Sequence, residues 1–167
     1  MFNRPFFTAL VAASLLLSAC QKAQDAAVAA AVERATGAKV DKNSQQVTVK
    51  TEQGVLQSTA AEEGQSVPLP ANFPSDIYLP DQHRIASVMD VSGAQVINIS
   101  TPAAMTAVFN TVGQNMEKSG WKREMAMQSG DGGSLAFSKE KRNAVYYIAK
   151  NENGGTDLTI NSAQEPE

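Results

Sequence analysis

The sequence predicts an α+β fold, a two-layer sandwich in which one amphipathic helix at about residues 102–119 lies on a curved antiparallel sheet. Apolar residues recur at helical spacing after residue 104, and several short segments alternate apolar and polar residues. Gly- and Asn-rich turns join those segments, as in an antiparallel meander. An Ala-rich N-terminal helix and a small β-hairpin are expected to precede the sandwich.

The first twenty residues have the pattern of an export signal. Arg4 supplies a cationic start, the apolar run from Pro5 to Leu17 is too short to span a bilayer, and small residues follow. The run closes on Leu17-Ser18-Ala19-Cys20, which contains the only cysteine. These four residues resemble the lipobox of bacterial lipoproteins. The resemblance implies cleavage of residues 1–19 and diacylation of the Cys20 thiol.

Lipidation at Cys20 implies a stable membrane anchor, since two acyl chains hold a protein where one does not. In the sorting rule of enteric bacteria, Asp after the cysteine favours the inner membrane, and this chain has Gln21. We therefore expect the outer membrane, with the folded part in the periplasm. The covalent acyl lipid is the only cofactor expected.

Composition excludes several classes of site. Cleavage removes Arg4 and takes the net charge from −3 to −4. No Lys/Arg cluster favours nucleic acid as a partner. Because lipid would consume Cys20, the folded part has no thiol for a disulfide, a Cys metal site or a nucleophile.

Three segments are expected between the anchor and the main domain. Residues 20–36 carry the lipid and an Ala-rich tether helix that ends at Gly37, with a partner-docked helix as the alternative. Residues 37–58 hold the hairpin, which in isolation would be marginally stable. Four prolines make residues 59–80 an extended connector strapped across the domain.

The main domain is predicted at residues 81–162, followed by a tail at 163–167. Thr101-Pro102 resembles a helix start. The expected strands are Ile85–Met89, Gln95–Ser100, Arg123–Gln128, Ser134–Ser138, Ala144–Lys150 and Thr156–Ser162, and the expected helical stripe is Met105, Val108, Phe109, Val112 and Met116.

Most of the mature chain also resembles small uncharacterised bacterial envelope lipoproteins. The resemblance lies in the connector Leu69-Pro70-Ala71-Asn72-Phe73-Pro74-Ser75-Asp76 and in Gly120-Trp121. It implies an envelope location and no particular activity.

No catalytic or metal site is predicted. His83, the only histidine, lies near Asp81 as a general base would, but we expect it to lie in a solvated loop just after Pro80. Met125 and Met127 share a strand face and suit Cu(I), although methionines in such a pattern usually fill a core against a helix. The loop Gly130-Asp131-Gly132-Gly133 lacks the remaining residues of a P-loop or calcium loop, so we expect a turn.

Trp121, Tyr146 and Tyr147 are the predicted binding residues, and only one of the two tyrosines can face the core. The leading hypothesis is a non-enzymatic lipoprotein that binds an envelope protein through the tyrosine face or the Val47–Leu56 hairpin. The alternative is a carrier or sensor of a small apolar ligand. Its cavity between helix and sheet would be lined by Met105, Phe109, Met125 and Phe137. Periodicity leaves the partner's identity and the oligomeric state open.

Overall fold

The computed structural model describes residues 39–43, 46–51, 54–62 and 64–164. Nine strands and one helix form in this part of the chain. They are β1 (Lys39–Asn43), β2 (Gln46–Thr51), β3 (Gly54–Ala60), β4 (Arg84–Val91), β5 (Ala94–Thr101), α1 (Met105–Lys118), β6 (Lys122–Ser129), β7 (Gly132–Lys139), β8 (Arg142–Lys150) and β9 (Thr156–Gln164).

All nine strands belong to one antiparallel sheet, in the order β1-β2-β3-β4-β5-β9-β8-β7-β6. The predicted two-layer α+β sandwich is therefore wrong: the described chain is mainly β, with one 14-residue helix. The hairpin is not a separate unit either, because β3 pairs with β4 from Leu56↔Val91 to Ala60↔Ser87. Local periodicity finds strands but does not show which of them join. The predicted Ala-rich helix lies outside the described residues.

Helix α1 begins at Met105, after the predicted start, because Thr101 ends strand β5. The Thr101 hydroxyl accepts the Ala103 N–H at 3.3 Å, and no side chain caps the helix. The five residues of the predicted stripe are all buried, and the helix packs on β6, β7 and β8. Phe109 lies directly on Gly133, where a β-carbon would come within 2.9 Å of the phenyl ring.

The connector covers the helix side of the sheet beside α1. Its apolar residues Val67, Phe73 and Ile77 are buried. The Val67 N–H donates to the Ile85 carbonyl at 3.0 Å, and the Tyr146 hydroxyl donates to the Tyr78 carbonyl at 2.8 Å. Helix and connector together therefore bury one face of the sheet.

An ion-pair cluster holds the connector to the hairpin between β7 and β8. Both oxygens of Asp76 accept hydrogen bonds from Arg142 at 2.8 Å, and Oδ2 also accepts one from Lys139 at 2.8 Å. The Trp121 indole N–H donates to the Asp76 carbonyl at 3.0 Å, and the Arg142 guanidinium lies 4.9 Å from the Trp121 ring centroid. These hydrogen bonds, chiefly those from Arg142, hold the pKa of Asp76 well below its usual range.

Candidate interaction surface on the open face of the sheet

The second face of the sheet is covered by neither the helix nor the connector. Successive strand residues point to opposite faces, so each strand that buries one set of side chains presents the other set on this side. In β7, Leu135 and Phe137 are buried under the helix while Ser134 and Ala136 point the other way. We call the side facing away from α1 the open face.

Two rows of side chains cross the centre of the open face. From β2 onward, cross-strand pairing places one row on eight strands and the other on seven. The first row is Val47, Ser58, Met89, Val96, Asn161, Val145, Ala136 and Met125, and the second is Ala60, Ser87, Asn98, Thr159, Tyr147, Ser134 and Met127.

On strands β2 to β9 neither central row contains a charged residue, and on β1 the register continues the first row at Lys42. Charged side chains lie in the flanking rows, with Arg84 and Asp157 toward one end of the strands and Lys122 toward the other. Soluble surfaces usually mix charges throughout, whereas the centre of a protein interface is depleted of charge and enriched in Met and Tyr. The charge distribution is that of an interface centre with a polar rim.

Several large apolar side chains on this face are exposed to solvent. Tyr147 is 53% exposed and Met127 61%, and Met89, Val91 and Met125 are exposed as well. Monomeric soluble proteins rarely expose large contiguous apolar patches, and such patches mark interaction sites.

The polar side chains at the centre of the face bond to one another. Asn98 Nδ2 donates to the Ser87 hydroxyl at 2.9 Å, and the Thr159 hydroxyl donates to Asn98 Oδ1 at 2.7 Å. A partner can cover this trio without breaking these hydrogen bonds. The usual desolvation cost of buried polar groups is correspondingly reduced.

A groove of about 610 Å³ lies beside the projecting Tyr147 ring. Its floor is formed by small residues of β7, Gly132 and Ser134, and Met127 forms a wall. The open face therefore carries the projecting Tyr147 ring and a groove directly beside it.

The three predicted binding residues lie in different environments. Trp121 is 3% exposed and Tyr146 is fully buried, so Tyr147 is the one of the three with a ring open to solvent. This confirms that only one of the adjacent tyrosines faces the core. Burial raises the pKa of Tyr146, whose ring meets Phe137 edge to face at a centroid distance of 5.9 Å.

Met125 and Met127 are not part of the core. Met125 pairs with Ala136 and Met127 with Ser134, both on the open face, so the expected packing against the helix is wrong. The proposed carrier cavity does not form from its four residues, since Met125 lies across the sheet from Phe109 and Phe137. The described residues contain no group of three or more His, Cys, Asp or Glu able to hold a metal ion.

His83 does not pair with Asp81, the arrangement that a general base would need. Its Nδ1 lies 2.7 Å from the Pro80 carbonyl oxygen, in an exposed turn. Within the described chain no hydrogen bond joins the His83 ring to the Asp81 carboxylate. Gly130 and Asp131 form the tight connection between β6 and β7, with Gly130 at a φ of +54°, and Gly132 and Gly133 begin β7.

Further concave regions lie outside the two central rows. An open groove of about 750 Å³ is lined by Arg84, Lys150 and Asp157 among others. A smaller pocket of about 220 Å³ lies beside Trp121 and is lined by polar residues, including the buried Gln95. The Gln95 amide donates to Asn72 at 2.9 Å and to Asp90 at 3.3 Å, which ties the connector to the β4–β5 hairpin. That role in the fold accounts for its burial.

Sequence reasoning missed most of the open face. Val96 and Val145 were predicted as members of strands but not as a shared surface, and Val91 fell outside the predicted strands, although it belongs to β4. One signal was available in the sequence. Near the middle of these strands neither face carries charged residues, whereas a strand with one solvent-exposed face normally has polar or charged residues at every second position.

Cys20 lies outside the described residues, so its predicted lipidation stays a prediction. Among the described helices, none is long and apolar enough to span a membrane. Comparisons with protein-family models, with curated proteins and with solved structures gave no match to this chain.

Proposed function

We propose that this chain is a membrane-anchored bacterial lipoprotein without enzymatic activity, whose open face binds another component of the cell envelope. The acyl lipid on Cys20 holds the domain at the periplasmic side of the outer membrane. The domain itself acts as a binding module.

The anchor rests on the signal pattern and on the lipobox resemblance at residues 17–20. Eighteen residues separate Cys20 from Lys39, the first residue of β1. A chain of that length reaches at most about 60 Å when fully extended. The tether therefore allows the open face to turn toward the membrane, along it or away from it.

The observation that carries the binding role is the uncharged centre of the open face. It combines exposed Met and Tyr side chains with polar groups that already bond to one another. Such a surface gains free energy when covered and loses little hydrogen bonding. Nothing in the fold explains why this face lacks charge, since it is not packed against the described chain.

The absence of enzymatic activity is part of the proposal. It is supported by the position of His83, which faces the Pro80 carbonyl and not a carboxylate. Asp76, the carboxylate with the most strongly lowered pKa, is occupied by Arg142 and Lys139. The ionised Asp76 carboxylate holds the connector to the sheet through these ion pairs, so it is not free to act as a general base.

The proposal is tested by chemical crosslinking in intact cells, followed by purification of the tagged lipidated protein and mass spectrometry. The Cys20→Ala variant is the unanchored control, and Tyr147→Glu places a charge at the centre of the open face. Val55→Glu is the matched control for the charge, since Val55 is 40% exposed and lies on the opposite side of the sheet.

We expect an adduct in near-stoichiometric amount with the lipidated protein. The adduct should be lost with Cys20→Ala and with Tyr147→Glu, and retained with Val55→Glu. An adduct that survives Tyr147→Glu would place the binding surface elsewhere on the domain. No adduct in any sample would refute the binding role.

A further inference from the structure

We propose that the component covering the open face is a second copy of this chain, in a two-fold dimer formed face to face. This inference rests on the proposed binding role of the open face and names its partner. Three features of the face favour a copy of itself over a different protein: its charge pattern, its shape and its size.

The charge pattern permits self-association. In a two-fold interface the same patch occurs on both sides, so any net charge at its centre would meet a like charge. Over β4, β5, β9, β8, β7 and β6, the strands that would form the interface, the two central rows are uncharged, so no such repulsion arises at its centre. The rim offers both signs, with Arg84 and Asp157 in one flanking row and Lys122 in the other.

The shape is self-complementary. Tyr147 projects from β8, and the groove floored by Gly132 and Ser134 lies immediately beside it on β7. If the two-fold axis passes between the Tyr147 ring and the groove, the Tyr147 ring of each copy enters the groove of the other copy. The groove, at about 610 Å³, has room for the ring. Tyrosines buried in this way are frequent hot spots of interfaces.

The size is sufficient for a stable dimer. The interface would use six strands, β4, β5, β9, β8, β7 and β6. At about 4.8 Å for each strand they occupy a width of about 29 Å, and the two central and two flanking rows together occupy about 27 Å along the strands. The product is roughly 800 Å², comparable to the ~800 Å² per partner of a standard interface. Two such sheets pack about 10 Å apart with their strands inclined by roughly 30°.

Membrane anchoring assists the dimer. Lipid anchors confine both copies to one surface and raise their effective concentration above that in free solution. The tether is long enough for either copy to adopt the required orientation. A dimer that forms only weakly between unlipidated domains in solution is therefore expected to be populated in the envelope.

The experiment places a photo-crosslinking amino acid at Ala149, an exposed residue on the open face beside the groove. The full-length lipidated protein is expressed in cells as two differently tagged copies and irradiated, and the adducts are identified by mass spectrometry. A second probe at Leu69, which is 41% exposed on the connector, serves as the positional control.

We expect an adduct that contains both tags from the Ala149 probe and none from the Leu69 probe. Tyr147→Glu should reduce this adduct at least tenfold, and Val55→Glu should leave it unchanged. Circular dichroism and thermal melting of each variant establish that loss of the adduct is not loss of folding.

Three other outcomes overturn the inference. An adduct with a different envelope protein contradicts the dimer but leaves the proposed binding role standing. An adduct within one copy, to residues 21–36, shows that the chain covers its own open face. No adduct from Ala149 refutes both the dimer and the binding role.

Discussion

Replacement of Asp76 by asparagine tests how the connector is held against the sheet. The substitution keeps the size of the side chain but removes the charge that Arg142 and Lys139 contact at 2.8 Å. The side chains of these three residues are 26–27% exposed, so the cluster is largely but not fully shielded from water.

The expected loss in the free energy of unfolding is about 2–3 kcal/mol. A net hydrogen bond to a charged group contributes ~1.5–3 kcal/mol, and breaking a fully buried ion pair costs ~3–5 kcal/mol. The expected value lies in the lower of these two ranges, because asparagine retains one acceptor oxygen and water reaches the cluster. For a domain of this size the melting temperature should fall by about 10 °C.

The effect must also depend on pH with a defined sign. The pKa of Asp76 is lower in the folded state than its unfolded value of about 3.9. The carboxylate therefore stabilises the fold fully above about pH 4, and this contribution is lost as the pH falls toward the folded pKa. Asp76→Asn should be destabilised by a constant amount from pH 5 to 8 and should approach the wild type in acid.

The assay is denaturant unfolding of the unlipidated protein between pH 2.5 and 8, followed by circular dichroism. Glu124→Gln is the matched control, because Glu124 pairs with Lys122 at an exposed site and its loss should leave the unfolding midpoint unchanged. A difference below about 0.5 kcal/mol at pH 7 would refute this account of the cluster. So would a difference that stays constant down to the lowest pH at which both proteins fold.

Three further substitutions have expected outcomes. Tyr146→Phe removes the hydrogen bond from the buried Tyr146 hydroxyl to the Tyr78 carbonyl, and should lower the free energy of unfolding by about 1–2 kcal/mol in a denaturant titration; an unchanged midpoint would contradict the bond. Gly155→Ala would bring a β-carbon against the Thr101 carbonyl oxygen, so we expect at least ~2 kcal/mol of destabilisation by the same measurement, and tolerance of alanine would show that the loop can shift. Cys20→Ala should abolish incorporation of labelled palmitate and release the protein from the membrane fraction; retention there would contradict the lipid anchor.

The sequence was a good guide to where strands begin and a poor guide to how they assemble. Alternation located the strands from Arg84 onward, since a half-buried strand repeats every two residues. It did not show that β3 pairs with β4, because that contact depends on the path of the connector. The two-layer sandwich failed for this reason, and the hairpin became part of the main sheet.

The candidate site was predicted only in part. Adjacent Tyr146 and Tyr147 had to point to opposite faces, and the structure leaves Tyr147 exposed, while its role as a contact stays a prediction. The methionines of β6 were assigned to the core because Met usually fills cores, whereas the register with β7 turns them to the open face. Nothing local signals the Asp76–Arg142 pair, whose partners are 66 residues apart.

The central claim is that a partner covers the open face in the cell envelope. Methionine oxidation in intact cells tests it most directly, since methionines lie both on that face and in the core. Met127, Met125 and Met89 lie exposed on the open face, and Met105 and Met116 are buried internal controls. Exposed thioethers are oxidised to sulfoxides far more readily than buried ones. The measurement compares sulfoxide at each position between the lipidated protein in cells and the dilute, unlipidated purified domain.

If a partner covers the open face in the envelope, the three methionines of that face should be oxidised several-fold less in cells than in the purified domain. Met105 and Met116 should stay protected in both. Equal oxidation of Met127 in cells and in dilute solution would contradict the account, because it would leave the open face uncovered where the protein functions.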